Sequence, residues 1–372
     1  MRTKRIVVSV ISDLVSDQRV HRTCSLLNEI GFSVILIGRK QKKSLALDER
    51  NYRTERVHCY FTKGILQYAE FNMKLFWRLL FKRTDIFLSN DLDTLFPNFL
   101  HAKLRSKKLV YDSHEYFTGT PELQDKPIKR KIWKTLEKLL LPRIKYAYTV
   151  NKSISELYHK ETGITMEVVR NVPLLQADLI EDNENPFPPG KIILLLQGTG
   201  INRNRGVEEL VKSMTLLPDQ FLLVLIGGGD VWEELKDLSH SLNLSTKIKF
   251  IEKMSFSLIK KYTAKAHLGL SMDKPFCINY QLSLPNKIFD YIHAGIPVLS
   301  SDVIEVKKIL EKYRVGTTVR KEEPDIIAQA IISIFENRDQ YETWKSNTKT
   351  AAKELCWQKE RTKLTGIFEP LV

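Results

Sequence analysis

Two cationic side chains stand in loops whose neighbours suit anion binding. Arg205 lies in Gln197-Gly198-Thr199-Gly200-Ile201-Asn202-Arg203-Asn204-Arg205-Gly206, between an apolar run and a helix start. Lys287 lies in Leu284-Pro285-Asn286-Lys287-Ile288-Phe289-Asp290, which reads as a loop opening a helix. Glycines let a backbone approach a ligand, and an arginine fork holds a diphosphate through paired hydrogen bonds. A helix start adds unpaired N–H groups and the positive end of its dipole. Gly198, Thr199, Arg203, Arg205, Asn286 and Lys287 are therefore candidate phosphate ligands. Asp290, one turn into the helix, is a candidate acceptor for sugar hydroxyls. A surface turn and an ordinary α/β unit are the alternatives for the two stretches. In Gly227-Gly228-Gly229-Asp230, Gly228 leaves room for a nucleotide, while Asp230 either caps the next helix or meets a ligand.

The first half of the chain carries a second group. Val110-Tyr111-Asp112-Ser113-His114-Glu115 ends a strand with polar residues, and His114 can stabilise charge, relay a proton, or be a satisfied structural histidine. Asp17 and Arg19, in the loop after the first strand, join Asp112 and Glu115 as candidate acceptor-side residues, with helix capping the alternative for Asp17. Asn90-Asp91-Leu92-Asp93 contains a D-x-D pair, read as helix caps or site residues and not as a metal site. Residues 71–83 and 126–145 are amphipathic and basic: Lys74, Arg78 and Lys82 share one helical face, as do Arg130, Lys134 and Lys138. Such faces suit an anionic membrane surface or plain solvation.

Alternating strands and helices position these residues. An apolar strand at 5–11, a helix to about Glu29 and a strand at 33–37 form a β-α-β unit, followed by strands at 57–61, 85–89, 108–111, 146–150 and 167–169. Residues 176–190 are acidic, proline-rich and aperiodic. A second alternation runs from a strand at 191–196 to a helix at 324–336, with a helix at 286–293 within it. The expected fold is α/β, two doubly wound Rossmann-like domains: 1–175, a linker at 176–190, and 191–354, with a C-terminal helix at about 355–372 returning to the first domain. Ligands bind at the carboxyl ends of such sheets, so a cleft between the domains is the expected site.

Composition narrows the classes. The chain has 372 residues, enough for two domains, and its four cysteines form no CxxC pair, which fits a reducing cytoplasm. No signal peptide is expected from residues 1–11, and no apolar run is long enough to span a bilayer. The net charge of +14 suits phosphorylated ligands, anionic lipid or nucleic acid, but no nucleic-acid module is visible and no nucleic-acid partner is expected.

These motifs resemble the GT-B-fold retaining glycosyltransferases of the group 1 family over nearly the whole length. The resemblance is carried by Asp17-Gln18-Arg19-Val20, Asp112-Ser113-His114-Glu115, Arg170-Asn171-Val172-Pro173, Arg205-Gly206-Val207-Glu208-Glu209-Leu210, Ile226-Gly227-Gly228-Gly229, and Pro285-Asn286-Lys287 through Gly295-Ile296-Pro297-Val298. Relatives with the Pro-Asn-Lys loop commonly serve bacterial surface polysaccharide or lipopolysaccharide assembly. The resemblance implies a nucleotide-sugar donor in the second domain, a lipid-linked or saccharide acceptor at the first, no metal or other cofactor, and retention at the anomeric carbon. It implies that Arg205 neutralises the leaving diphosphate, that Asp290 takes the place of the second Glu of an E-x7-E signature, contacting ribose, and that His114 is the histidine near the transferred sugar. The first Glu of that signature is replaced by Leu282, and Thr199 stands where a basic residue is frequent, so Arg203 or Lys287 is expected to supply the second cation. A nucleotide-sugar epimerase would need further acid/base carboxylates beyond Asp91, Asp112 and Glu115; a basic nucleic-acid-binding protein is the other alternative. The expected location is cytoplasmic or peripheral on the inner membrane face.

Overall fold

The computed structural model describes residues 3–15, 17–41, 44–175 and 185–371. The chain divides into two compact units: unit 1 is Met1–Asn171 with Glu360–Val372, and unit 2 is Val172–Lys359.

Unit 1 is built on β1 (Arg5–Asp13), β2 (Ser33–Lys40), β3 (Arg53–His58), β4 (Ile86–Asn90), β5 (Lys108–Ser113), β6 (Tyr146–Thr149) and β7 (Glu167–Val168). All neighbours are parallel, in the order β3-β2-β1-β4-β5-β6-β7. Unit 2 repeats the plan with β8 (Ile192–Gly198), β9 (Phe221–Gly227), β10 (Ile248–Glu252), β11 (Leu268–Ser271), β12 (Val298–Ser301) and β13 (Gly316–Val319), in the parallel order β10-β9-β8-β11-β12-β13. Central strands such as Phe221–Gly227 are buried along their whole length, which is why they read as unbroken apolar runs. Strand order reverses beside β1 in unit 1 and beside β8 in unit 2, and loops at the carboxyl ends there are the ligand positions of open α/β sheets.

The helix Asn286–His293 has the bounds read from sequence. Proline opens it, and Gly295 at φ +79° follows its end, a conformation that glycine adopts without strain. The third strand differs: expected at 57–61, it lies at Arg53–His58. It is an edge strand of mostly polar residues, so hydrophobicity does not mark it, while the apolar Tyr60 and Phe61 just beyond it are exposed. The short helix Ile278–Gln281 was not expected from the sequence pattern.

Residues 176–184 of the expected linker lie outside the described residues. Its remainder is not a bare connection: Phe187 is buried in the core of unit 2, its ring 5.6 Å from that of Tyr262. The C-terminal segment from Glu360 belongs to unit 1, where Glu360 accepts from the Arg170 backbone N–H at 3.0 Å and the buried Phe368 meets Phe32 edge-on at 6.2 Å.

Candidate active site

In unit 2 the two cations of the separate loops share one carboxylate. Arg205 places Nη1 2.9 Å from Asp273 Oδ1, and Lys287 places Nζ 3.5 Å from Asp273 Oδ2. Asp273 follows β11 by two residues and is 1% exposed. Ser271 Oγ donates to its carboxylate at 3.4 Å and Ser301 Oγ to its carbonyl at 2.6 Å. The Arg205 guanidinium lies 4.3 Å from the centre of the Tyr280 ring. Burial opposes charge on Asp273, but Lys287 and Arg205 outweigh it and hold the carboxyl below its usual range. Burial also pulls Lys287 down, with Asp273 raising it part of the way and Arg205 opposing. With all three ionised, the group carries one net positive charge.

Lys287 belongs to the first turn of Asn286–His293, and no side chain caps that helix start. Asn286 is exposed beside it. Asp290, one turn on, accepts from Gln197 Nε2 at 3.2 Å, and Gln197 Oε1 accepts from Thr263 Oγ1 at 2.7 Å. The Tyr291 hydroxyl accepts from the Gln197 backbone N–H at 3.2 Å and donates to Leu270 O at 3.1 Å, tying this helix to β8 and β11. Leu282 is buried at the end of the short helix, its N–H bonded to Ile278 O at 3.1 Å.

Three sequence expectations change here. Arg203 does not join Arg205: its guanidinium pairs with Glu234 at 2.8 and 2.9 Å, in an exposed position where a long side chain costs least to solvate. Asp230 does not cap the following helix, whose N-cap position is Val231. Instead Asp230 Oδ1 accepts from Arg203 N at 2.9 Å and Asn202 Oδ1 accepts from Asp230 N at 3.2 Å, so the two loops brace each other. The glycines serve that bracing. A Cβ at Gly227 (φ +141°) would lie 1.7 Å from Gly198 O, and one at Gly229 would lie 2.0 Å from Ile201 O. Gly228 is buried under the Lys253 side chain, whereas Gly198 and Thr199 are exposed.

In unit 1, Asp17 takes the capping role. Its Oδ1 accepts from Val20 N at 3.0 Å and its Oδ2 from Ser12 Oγ at 2.5 Å. Arg19 is buried and does not project outward: it holds both Asp112 oxygens, at 2.6 and 3.0 Å, and Val169 O at 2.9 Å. An arginine taken out of water needs such a bidentate partner. His114 sits between carboxylates, with Nε2 3.1 Å from Asp112 Oδ2 and Nδ1 3.3 Å from Asp91 Oδ2. Its backbone N–H donates to Asp91 Oδ1 at 2.8 Å. Burial works against the imidazolium, but Asp91 and Asp112 prevail and raise His114 to about 9. At neutral pH it is a cation with both ring nitrogens engaged, so a proton-relay role does not fit this geometry. Asp91 adopts φ 57°, ψ 169°, a strained conformation outside glycine that costs of order 1–3 kcal/mol and concentrates at functional sites. Glu115 is half-buried next to His114.

The basic helices also differ from expectation. Lys74 pairs with Glu70 at 2.6 Å and Lys82 with Glu55 at 2.5 Å. Lys134 bonds Glu137, Glu161 and the Tyr116 hydroxyl, and Trp133 packs between Tyr68 and Phe117. What the helix Gly64–Leu80 presents outward is apolar: Ile65, Leu66, Met73, Trp77 and Leu80, with Phe81 just beyond at 80% exposure. Among the described residues no helix is long and apolar enough to cross a membrane, and no group of His, Cys, Asp and Glu has the arrangement to hold a metal ion.

The sequence pattern missed Asp273 and Gln197. Asp273 sits in a short loop with no motif around it; its one signal is a carboxylate two residues after a buried strand, at the point where strand order reverses.

Residues 179–351 match the family of glycosyl transferases group 1. Searched against curated proteins, the sequence finds no match. Among solved structures, a sucrose-phosphate synthase from Thermosynechococcus elongatus aligns with TM-score 0.77 at 16% identity, over 99% of each chain. HepE from Anabaena, solved in complex with UDP-glucose, aligns with TM-score 0.73 at 14% identity, over 99% of this chain and 100% of that one. WaaG, a glycosyltransferase involved in lipopolysaccharide biosynthesis, aligns with TM-score 0.74 at 15% identity, over 97% of this chain and 99% of that one. At such identities the structural likeness is one of fold, and the family match lies within unit 2. Residues 179–351 are thus a glycosyl transferases group 1 domain, and the whole chain has the two-domain, Rossmann-like GT-B fold of these structures.

Proposed function

We propose that unit 2 holds a nucleoside-diphosphate sugar and that the enzyme transfers the sugar, with retention and without metal, to a hydroxyl acceptor in surface polysaccharide or lipopolysaccharide synthesis. The convergence of Arg205 and Lys287 on Asp273, next to an uncapped helix start, carries this reading. As the sugar–phosphate bond breaks, negative charge grows on the diphosphate. Arg205, Lys287 and the first N–H groups of Asn286–His293 stabilise it, which does the work a divalent cation does elsewhere. Gly198 and Thr199 give the phosphates open backbone, and Asp290, steadied by Gln197, accepts from ribose hydroxyls. The departing phosphate oxygen takes the acceptor's proton, so no separate base is needed and attack on the same face gives retention. His114, held protonated, contributes a fixed positive charge on the acceptor side, with Asp112 and Arg19 as its supports. UDP bound in HepE motivates uridine donors as the first to try, and WaaG motivates the lipopolysaccharide context.

Saturating UDP or UDP-glucose is expected to raise the melting temperature by several degrees, since a ligand at a hundred times its Kd adds about 2.7 kcal/mol. The shift should persist in EDTA. No shift with any nucleoside diphosphate would remove the donor site from unit 2, and a shift abolished by EDTA would remove metal independence.

The exposed apolar face of Gly64–Leu80 supports docking on an anionic membrane, with burial of side chains and not ion pairing as the main force. Each large side chain contributes about 1.5–3 kcal/mol when buried. Trp77→Glu with Phe81→Glu should therefore abolish flotation with phosphatidylglycerol vesicles, and Lys74→Glu with Lys82→Glu should weaken it less. Flotation unaffected by the first pair would exclude this face.

A further inference from the structure

Two polar side chains of unit 1 hold buried atoms without partners, and a half-buried tyrosine hydroxyl beside them makes no hydrogen bond. Arg39, near the carboxyl end of β2, has a buried Nε without a hydrogen-bond partner and forms no ion pair among the described residues. Asp93, in the first turn of the helix Leu92–Leu104, is 6% exposed and its Oδ1 has no partner. The Tyr68 hydroxyl makes no hydrogen bond among the described residues. Leaving a buried group unpaired typically costs about 1–3 kcal/mol, and Arg39 Nε and Asp93 Oδ1 in one corner of a fold call for an explanation.

Their placement supplies one. Asn72 Nδ2 donates to both Tyr68 O and Asp93 O, at 2.8 Å each, which sets the start of Leu92–Leu104 beside the first half of Gly64–Leu80. The Tyr68 ring is held edge-on by Trp133 at 5.3 Å. β2 and β4 flank β1, so Arg39 and Asp93 stand at the carboxyl ends of strands on either side of the point where strand order reverses. Burial, then the Asp91 carboxylate, push Asp93 well above the usual carboxylate range; His114 opposes this, Glu115 adds to it, and Arg39 opposes it. The acid form of Asp93 both donates and accepts, as a sugar hydroxyl requires. A guanidinium without an anion beside it suits a planar two-oxygen group.

We propose that Arg39, Tyr68 and Asp93 form an acceptor subsite in unit 1 and that the acceptor is an anionic saccharide, its phosphate or carboxylate pairing with Arg39 and a nearby hydroxyl bonding Asp93 and Tyr68. This rests on the glycosyl-transfer reading above and adds the class of acceptor. No bond is made or broken at the subsite; it positions the acceptor.

The test is ligand-observed NMR on the full chain with glucose 1-phosphate, glucuronic acid and glucose, under excess UDP so that the donor phosphates are occupied. At least one anionic sugar is expected to bind about tenfold more tightly than glucose, and which one distinguishes phosphate from carboxylate. Arg39→Met should erase the preference and Asp93→Ala should weaken every sugar. Thermal unfolding separates this from a structural role: Arg39→Met removes an unpaired buried group and should melt at or above the parent temperature, whereas a structural arginine would lower it. No preference for the anionic sugars, no binding by any of the three, or a preference that survives Arg39→Met overturns the proposal. UDP binding by the same samples reports on unit 2 separately, so its loss would count against the donor site and leave a sugar selectivity dependent on Arg39 standing.

Discussion

Arg205→Met is expected to lower kcat for transfer from a nucleoside-diphosphate sugar by about 10²–10³-fold, with a smaller change in donor KM. The reason is the charge balance around Asp273. Two cations face one carboxylate there, leaving one net positive charge to meet the diphosphate as it departs. Methionine keeps the length of the stem and removes that surplus. Lys287 is then left to pair with Asp273 alone, and the group is neutral when negative charge appears. Because that charge is greatest in the transition state, the loss falls on kcat more than on binding. Arg205→Lys separates charge from geometry: it retains the cation and loses the fork and the stacking on Tyr280, and about a tenfold loss is expected. Turnover of Arg205→Met equal to the parent, measured with a matched donor under single-turnover conditions, would end the assignment of Arg205.

How much of this was legible from the chain depends on how far apart the interacting residues lie. The helix Asn286–His293 was placed to the residue because its signals are local: Pro285 at one end, Gly295-Ile296-Pro297 at the other, and apolar residues at helical spacing between. The parallel sheets were legible for a similar reason, since strands buried on both faces read as apolar runs. Lys287 and Arg205 were recognisable as candidates because each sits in its own recognisable loop. Their common partner was not, because Asp273 is 68 residues from Arg205 and no periodicity links them. Arg203 looked equivalent to Arg205 two positions away, yet Glu234 on a neighbouring helix takes it. Arg19 shows the limit from the other side. Composition favours an exposed arginine, and only the pairing with Asp112, 93 residues on, explains its burial. The glycines of Gly227-Gly228-Gly229 read as room for a nucleotide, but two of them make room for the neighbouring loop instead.

The largest expected effect on stability is at Asp112. This fully buried carboxylate neutralises Arg19 through two hydrogen bonds and touches His114 at 3.1 Å. Asp112→Asn leaves the Arg19 charge buried with a weaker partner, and removal of one member of such a pair costs about 3–5 kcal/mol. The same cluster gives the parent a particular pH profile. His114 is raised from 6.5 to about 9 in the folded chain, with burial opposed and outweighed by Asp91 and Asp112. A raised folded pKa stabilises fully below the unfolded value, so its contribution, up to about 3 kcal/mol, is present below pH 6.5 and lost as pH rises through 9. Asp112 has the opposite sign: burial would raise it, but Arg19 and His114 bring it down to about 2, so its stabilisation is present above pH 3.8 and lost as pH falls through 2. Denaturant unfolding of the parent should therefore show stability declining between pH 6.5 and 9. In Asp112→Asn the decline should shrink and shift to lower pH, because one of the two carboxylates holding the imidazolium is gone. The ring signals of His114 followed by NMR report the same step directly. A parent ring that titrates near 6.5 would mean that Asp91 and Asp112 do not hold it charged, and the fixed positive charge assigned to His114 in catalysis would fall with it.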